Sequence, residues 1–216
     1  YNSEKNILEL EDVGLTSLYI ADCKSLAAMA KILGRKEAAE LEARAVSYTK
    51  ALQTLWVEKS GIYENRRSDT KEFSERLSPT NFYPLIASAP SQIQAERMIK
   101  EHFNNPTEFY GEWMLPSIAR NDPAFAEQKY WKGSIWAPMN FLVYLGLRNY
   151  ELPLARKELS DKSVKLFLGE FKRKGYISEN YSAINGRGDD PKILSENYYF
   201  WGSLLGVMGL MEKGMF

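Results

Sequence analysis

The chain has 216 residues, 44% of them apolar and 26% charged, with 28 basic residues balancing 28 acidic ones. That is ordinary for a globular protein and long enough for one sizeable core, or for a large piece of a bigger domain. Balanced charge leaves no global field to draw the chain to nucleic acid or to an anionic membrane, and no apolar run is long enough to span a bilayer.

The single cysteine, Cys23, excludes an internal disulfide. The single histidine, His102, excludes Ser-His-Asp and Cys-His chemistry from within the chain, and zinc sites built on several histidines. It lies among Arg97, Lys100 and Glu101 in a charged helical pattern, so a surface position is expected. Neither a metal nor a cofactor is expected, and any catalysis must rest on carboxylates, aromatics and amides. The start, Tyr1-Asn2-Ser3, lacks an initiator Met, which reads as processing or truncation upstream.

Apolar spacing predicts helix almost throughout. Residues 14–33 carry Leu15, Leu18, Tyr19, Leu26, Met29, Ala30 and Leu33, and Gly34 marks the stop. Residues 36–57 carry a stripe of Leu41, Ala45, Tyr48, Leu52 and Leu55 with charges around the rest. Further helical patterns fall at about 79–88, 91–103, 135–149, 154–173 and 198–212. The first, third, fifth and seventh segments are apolar nearly all round, whereas the second, fourth and sixth have one stripe and a charged face. The former pattern marks buried helices and the latter surface helices. Such strict inner/outer alternation is what a toroid of helical hairpins produces. A protein-binding solenoid would show a fixed-period repeat, and none is found.

Loop lengths sharpen this. Inner-to-outer connections are short (Gly34-Arg35, Ala89-Pro90 and a few residues near Tyr150), while outer-to-inner connections, at about 58–78, 104–134 and 174–197, are long. Long irregular loops are uncommon in compact domains unless they carry function. All three should emerge on one rim, at the N-terminal ends of the inner helices, and they hold many aromatics. Such rings either pack their own loops or form a platform for the C–H faces of a sugar.

The segment Tyr130-Trp131-Lys132-Gly133-Ser134-Ile135-Trp136-Ala137-Pro138-Met139-Asn140 resembles the Tyr-Trp-Arg-Gly-x-x-Trp-x-x-x-Asn signature of glycoside hydrolase family 63 and its mannosylglycerate-hydrolase and trehalase-like relatives. Lys132 departs from the usual Arg. Gly14 to Leu18, Arg76 to Leu85 and Gly111 to Ser117 look like further family patterns, so the resemblance covers essentially the whole chain.

The resemblance implies an all-α (α/α)6 toroid, with about seven of its helices carried by this chain as the C-terminal part of a single catalytic domain. It implies an inverting hydrolase of α-glucosidic or α-mannosidic bonds. The family's general base is a Glu in a Glu-(Asn/Lys)-Tyr motif, which here is Glu179-Asn180-Tyr181. By the same carry-over Tyr130, Trp131 and Trp136 line the sugar pocket, and Gly133 permits close backbone approach. Asn180 and Tyr181 would orient the attacking water or Glu179 itself. Arg76, Glu112 and Trp113 match rim positions less sharply. Trp201 also matches, although as a helix start it would equally serve the core.

The family's general acid is an Asp in a Gly-Trp-Asp-like motif upstream of the region matching residue 14, and residues 1–216 contain no such motif. The acid is therefore expected from the N-terminal half of the same toroid, the expected partner alongside a carbohydrate substrate. The alternative is a truncated or degenerate toroid that binds carbohydrate without cleaving it. A half-toroid would leave much of its inner helices open to water.

Overall fold

A computed structural model describes residues 1–215. Six α-helices, a long 3-10 helix and three two-residue β-ladders build one helical layer inside another.

Helix α1 (Val13–Ile32) follows Asp12, whose carboxylate caps it by accepting the Leu15 N–H at 2.6 Å. It pairs with α2 (Ala38–Gln53) as a hairpin closed by Gly34, at φ +62°. Strands β2 (Trp56–Val57) and β3 (Ile62–Tyr63) then form a hairpin, and β4 (Arg66–Arg67) returns to pair with β1 (Leu10–Glu11). The 3-10 helix Pro79–Leu85 is the second inner element. Helix α3 (Gln92–Met98) runs on as a wider π-turn, Ile99–Phe103. Strand β5 (Ile135–Trp136) leads straight into inner helix α4 (Ala137–Leu147). Helix α5 (Pro153–Lys174), strand β6 (Asn180–Tyr181) and helix α6 (Leu204–Glu212) complete the described chain.

The packing order gives the architecture. Helix α1 lies against the 3-10 helix, the 3-10 helix against α4, and α4 against α6, while α2, α3 and α5 lie outside this row. Seven helical segments thus alternate inner and outer, as the patterning predicts. Connections at 33–37, 86–91 and 148–152 are short, and those at 54–78, 104–134 and 175–199 are long.

Local chemistry moves several boundaries. The expected helix 36–57 stops at Gln53, because Trp56-Val57 pairs with Ile62-Tyr63 across a turn at Gly61, at φ +72°. The expected helix 79–88 tightens to 3-10 form. Pro84 has no N–H to give to Thr80, and the residue before it is steered away from the α region. Ser78 and Asn81 box its start. The expected helix at 135 begins two residues later, with Pro138 in its first turn, because Ile135 and Trp136 are spent on β6. The last expected helix opens as a 3-10 turn, Phe200–Ser203.

Two expectations are corrected outright. In α1 the buried stripe is Val13, Ser17, Ile20, Cys23 and Ala27, while Leu15, Leu26, Met29 and Leu33, expected inside, are exposed. Nothing packs on that face among the described residues. A second apolar surface is a groove of about 710 Å³ between α5 and α6, lined by Val164, Phe167, Leu168, Val207 and Leu210.

His102 is the second correction. It is 6% exposed, with Nδ1 2.7 Å from Glu108 Oε2 and Nε2 2.7 Å from the Ser60 carbonyl. The π-turn swings the ring inward from a helix whose other charges face water. Burial draws its pKa down, but the Glu108 hydrogen bond, the Ser60 carbonyl and the charges of Glu108 and Glu101 outweigh that and leave it raised.

A raised folded-state pKa contributes stability that is full below the unfolded value, about 6.5 for histidine, and is lost as pH rises through the folded value. In thermal melts between pH 5.5 and 8.5, His102→Gln should therefore cost most Tm at the acid end. A Tm difference that grows with pH would refute the assignment.

Candidate active site

The three long connections meet on one rim because their backbones are tied to each other. Ala119 N–H donates to the Leu77 carbonyl at 2.9 Å, and Arg76 forks onto Asp122 at 2.7 and 2.8 Å, which joins the first connection to the second. Arg120 donates to the carbonyls of Tyr110, Trp113 and Ala183 at 3.1, 2.7 and 3.3 Å, and Gln128 Oε1 accepts Ala183 N–H at 3.1 Å, which joins the second to the third. Burial pulls the Arg120 pKa down, since no carboxylate sits opposite it to offset desolvation.

The centre of the rim is the antiparallel pairing of β5 with β6, in the register Ile135 to Tyr181 and Trp136 to Asn180. It sets Glu179, one residue before β6, beside the aromatic motif far upstream in the chain. Ile135 also bridges Pro116, and Ser178 bridges Asn197.

Rings gather here. Trp131 stacks on Trp136 at 3.7 Å between centroids and 13° between planes, with Tyr130 edge-on to Trp136 at 4.7 Å. Trp201 meets the other edge of Trp136 at 5.9 Å and carries Tyr199 at 4.5 Å. Edge-on pairs of this kind add about 0.5–1.5 kcal/mol each beyond their buried area.

Glu179 is 7% exposed. Its N–H donates to the Glu196 carbonyl at 2.8 Å, and its carbonyl accepts the Trp201 indole N–H at 2.9 Å. Its carboxylate makes no hydrogen bond or ion pair among the described residues. Asn180 donates its side-chain amide to the Leu194 carbonyl at 2.7 Å, while its buried Oδ1 has no partner among the described residues. The Tyr181 hydroxyl accepts the Ser178 N–H at 3.1 Å, so this ring props the backbone just before Glu179. Burial pushes its pKa up to about 12, which keeps the hydroxyl neutral.

The site residues read from sequence divide into two groups. Tyr130 and Trp131 present partly exposed rings, 38% and 46%. Trp136 and Tyr181, expected as lining and orienting residues, are wholly buried in this chain. Gly133 is also buried. At φ +110° it lets the backbone pass Phe125 and Gln128, where a Cβ would stand 2.9 Å from the Phe125 carbonyl. The close approach it permits here is to the protein itself. Trp201 is half-buried, packs on Trp136 and donates its indole N–H to the Glu179 carbonyl.

Arg76 is spent on Asp122, whose carboxyl pKa it holds below the usual range. Glu112 is exposed and pairs with Lys165 at 3.0 Å. Trp113 lies under Lys165 and against Gly186 of the third connection, with its indole N–H unpaired among the described residues.

Sequence reasoning gave no role to two residues. Asn140 is fully buried and clamps the second connection onto α4. Its Oδ1 accepts Leu115 N–H at 2.7 Å, and its Nδ2 donates to the carbonyls of Leu115 and Trp136 at 3.0 and 3.2 Å. Its spacing four residues after Trp136 was the available signal. Gln128, fully buried with φ +52°, bonds Ala183 and Phe125, and no local pattern marks it.

Comparison with known proteins places this arrangement. Residues 3–202 match the mannosylglycerate hydrolase MGH1-like glycoside hydrolase domain. The chain belongs to that family. A mannosylglycerate hydrolase of Thermus thermophilus is 27% identical over 180 residues, 82% of this chain and 41% of the relative. A cytosolic neutral trehalase of Kluyveromyces lactis is 28% identical over 147 residues, 67% of this chain and 19% of that protein. The crystal structure of a GH63 mannosylglycerate hydrolase from Thermus thermophilus in complex with glucose superimposes with a TM-score of 0.79 at 24% identity, covering 93% of this chain and 48% of that one. The fold is that of the (α/α)6 toroid enzymes. The chain spans less than half the length of these relatives.

Replacing Asn140 by Ala strands the Leu115 N–H inside the protein. An unsatisfied buried group costs about 1–3 kcal/mol, so denaturant unfolding should show a loss of at least about 1 kcal/mol. A near-neutral effect would mean that water or the neighbouring backbone takes over the clamp.

Proposed function

We infer that this chain supplies the general base and part of the sugar-binding wall of an inverting glycoside hydrolase acting on α-glucosides or α-mannosides, small ones such as mannosylglycerate included. The observation that carries this reading is Glu179. Its backbone is tied on both sides, its carboxylate has no partner among the described residues, and the strand it precedes pairs with Trp136, on which the partly exposed Trp131 stacks.

An inverting base needs these properties. The carboxylate must be ionised and free to hold one water on the face of the sugar opposite the leaving group. As that water attacks the anomeric carbon, Glu179 takes its proton, the glycosidic C–O bond breaks, and an acid returns a proton to the leaving oxygen. That acid is an Asp on toroid helices outside residues 1–216, with roughly 6.5–9.5 Å between the carboxyl groups to leave room for water. A retaining pair would stand at about 5–5.5 Å. The exposed apolar face of α1 and the α5–α6 groove are the surfaces those helices would cover.

In the full-length enzyme, Glu179→Gln should lower turnover by about two to four orders of magnitude, the usual contribution of a general base. Binding should persist, since Tyr130 and Trp131 are unchanged. NMR of the first product should show inverted anomeric configuration. Near-normal turnover removes Glu179 from this role, retained configuration removes inversion, and a wild type that binds sugar without turnover would favour a carbohydrate-binding toroid.

Residues 1–216 alone should hydrolyse aryl α-glucosides and α-mannosides negligibly. Robust turnover by them would place an acid within the chain.

A further inference from the structure

The last turns of α5 hold an acidic residue for which the reading above has no use. Glu170 is 3% exposed, more deeply buried than Glu179. Its Oε2 accepts from Arg173 Nη2 at 2.6 Å and Nε at 3.2 Å. Its Oε1 faces the third connection, accepting the Gly188 N–H at 3.2 Å and the Ser178 hydroxyl at a long 3.5 Å.

Ser178 and Gly188 are the two shoulders of the loop that contains Glu179. They touch: a Cβ on Gly188 would stand 2.0 Å from Ser178 Oγ and 2.4 Å from Ser178 Cβ. Glu170 lies beneath this crossing and holds both shoulders with one oxygen. Arg173 extends the grip to Asp189 at 3.0 and 2.7 Å, where Lys174 and Arg187 also converge. The Ser178 N–H is fixed as well, by the Tyr181 hydroxyl.

A buried ion pair is weak evidence for stability, because an apolar side chain of similar volume often does as well at less desolvation cost. What a carboxylate adds at this place is direction, since its two oxygens fix α5 and the loop in one geometry.

We propose that Glu170 is a positioning residue for Glu179: by holding Ser178 and Gly188 together it sets where the base carboxylate stands. This rests on Glu179 being the base. The role is distinct from Glu179's own, because Glu170 faces its loop partners and Arg173 and does not itself reach solvent.

The test compares variants of the full-length enzyme on one cleavable α-mannoside or α-glucoside, below every variant's Tm. Glu170→Gln turns an amide NH₂ toward either Arg173 or the Gly188 N–H, so one arm must open. Its kcat should fall by roughly 10²-fold, the effect of about an ångström of misplacement, with KM near wild type because the ring wall is untouched. Glu170→Asp keeps the charge but is too short to span both arms, and should show the same split if the Gln variant does not fold.

Gly188→Ala disturbs the same crossing from the loop side, because its Cβ would stand 2.0 Å from Ser178 Oγ and 3.0 Å from Glu170 Oε1, and it should show the same fall in kcat with KM near wild type. Wild-type kcat in the Glu170 variants beside an inactive Glu179→Gln overturns the positioning role and leaves the base reading standing. So does wild-type kcat in Gly188→Ala. Wild-type kcat in Glu179→Gln overturns the base reading itself.

Discussion

The pairing of Trp136 with Asn180 is the constraint on which the site depends. Without it, the aromatic motif at the start of α4 and the acidic motif after α5 would be two unrelated loops. A two-residue ladder is far too short to hold itself together in water. Its stability comes from what flanks it: Ser117 bonding Gly133 and Ser134, Asn140 bonding Leu115, and Gln128 bonding Ala183. Most of these partners are buried, where an unmade hydrogen bond costs more than a made one contributes. The rim is therefore held as one unit. Its members stand or fall together.

The helices below have a different logic. Inner elements α1, the 3-10 helix, α4 and α6 pack by apolar contact with few polar requirements, and outer helices turn charged faces to water. Each hairpin is tight on one side, while every return path on the other side is long enough to reach the rim. The tight turns and the rim thus lie at opposite ends of the same helices, and buried residues of the return paths such as Phe109, Leu115 and Tyr181 share one core with the inner row.

This division explains what was legible in the sequence. Inner and outer helices, and the loops between them, follow from the spacing of residues such as Leu41, Ala45 and Leu52, because periodicity reports burial directly. Where a residue serves a distant partner, periodicity fails. Ile135 and Trp136 continue a helical pattern yet pair with Tyr181 and Asn180 as strand, and His102 sits among charged neighbours yet turns inward to Ser60 and Glu108. Glu179 was legible only through its motif, and Glu170 through nothing local, since its partners lie at positions 173, 178 and 188. On α1 the failure has another origin. Both sides of the helix are apolar, and only packing decides that Val13, Ile20 and Ala27 go inside while Leu15, Leu26 and Met29 do not.

The role of base proposed for Glu179 draws on the same contrast between backbone and side chain. A base must be held firmly enough to face one water, yet a hydrogen bond donated to its carboxylate would compete for the oxygen that receives the proton and would weaken it as a base. Both demands are met when the restraint is placed on the main chain. Here the N–H and C=O of Glu179 are both bonded, the preceding residue is held through its N–H and hydroxyl, and the following one through its N–H, C=O and amide, while the Glu179 carboxylate is left alone. Two groups supply that restraint from outside the loop, the buried Glu170 carboxylate and the half-buried Trp201 indole. Shielding from water has a physical reason in this arrangement: fully exposed, each would exchange its loop partner for solvent, and the main chain around Glu179 would lose its fixed place.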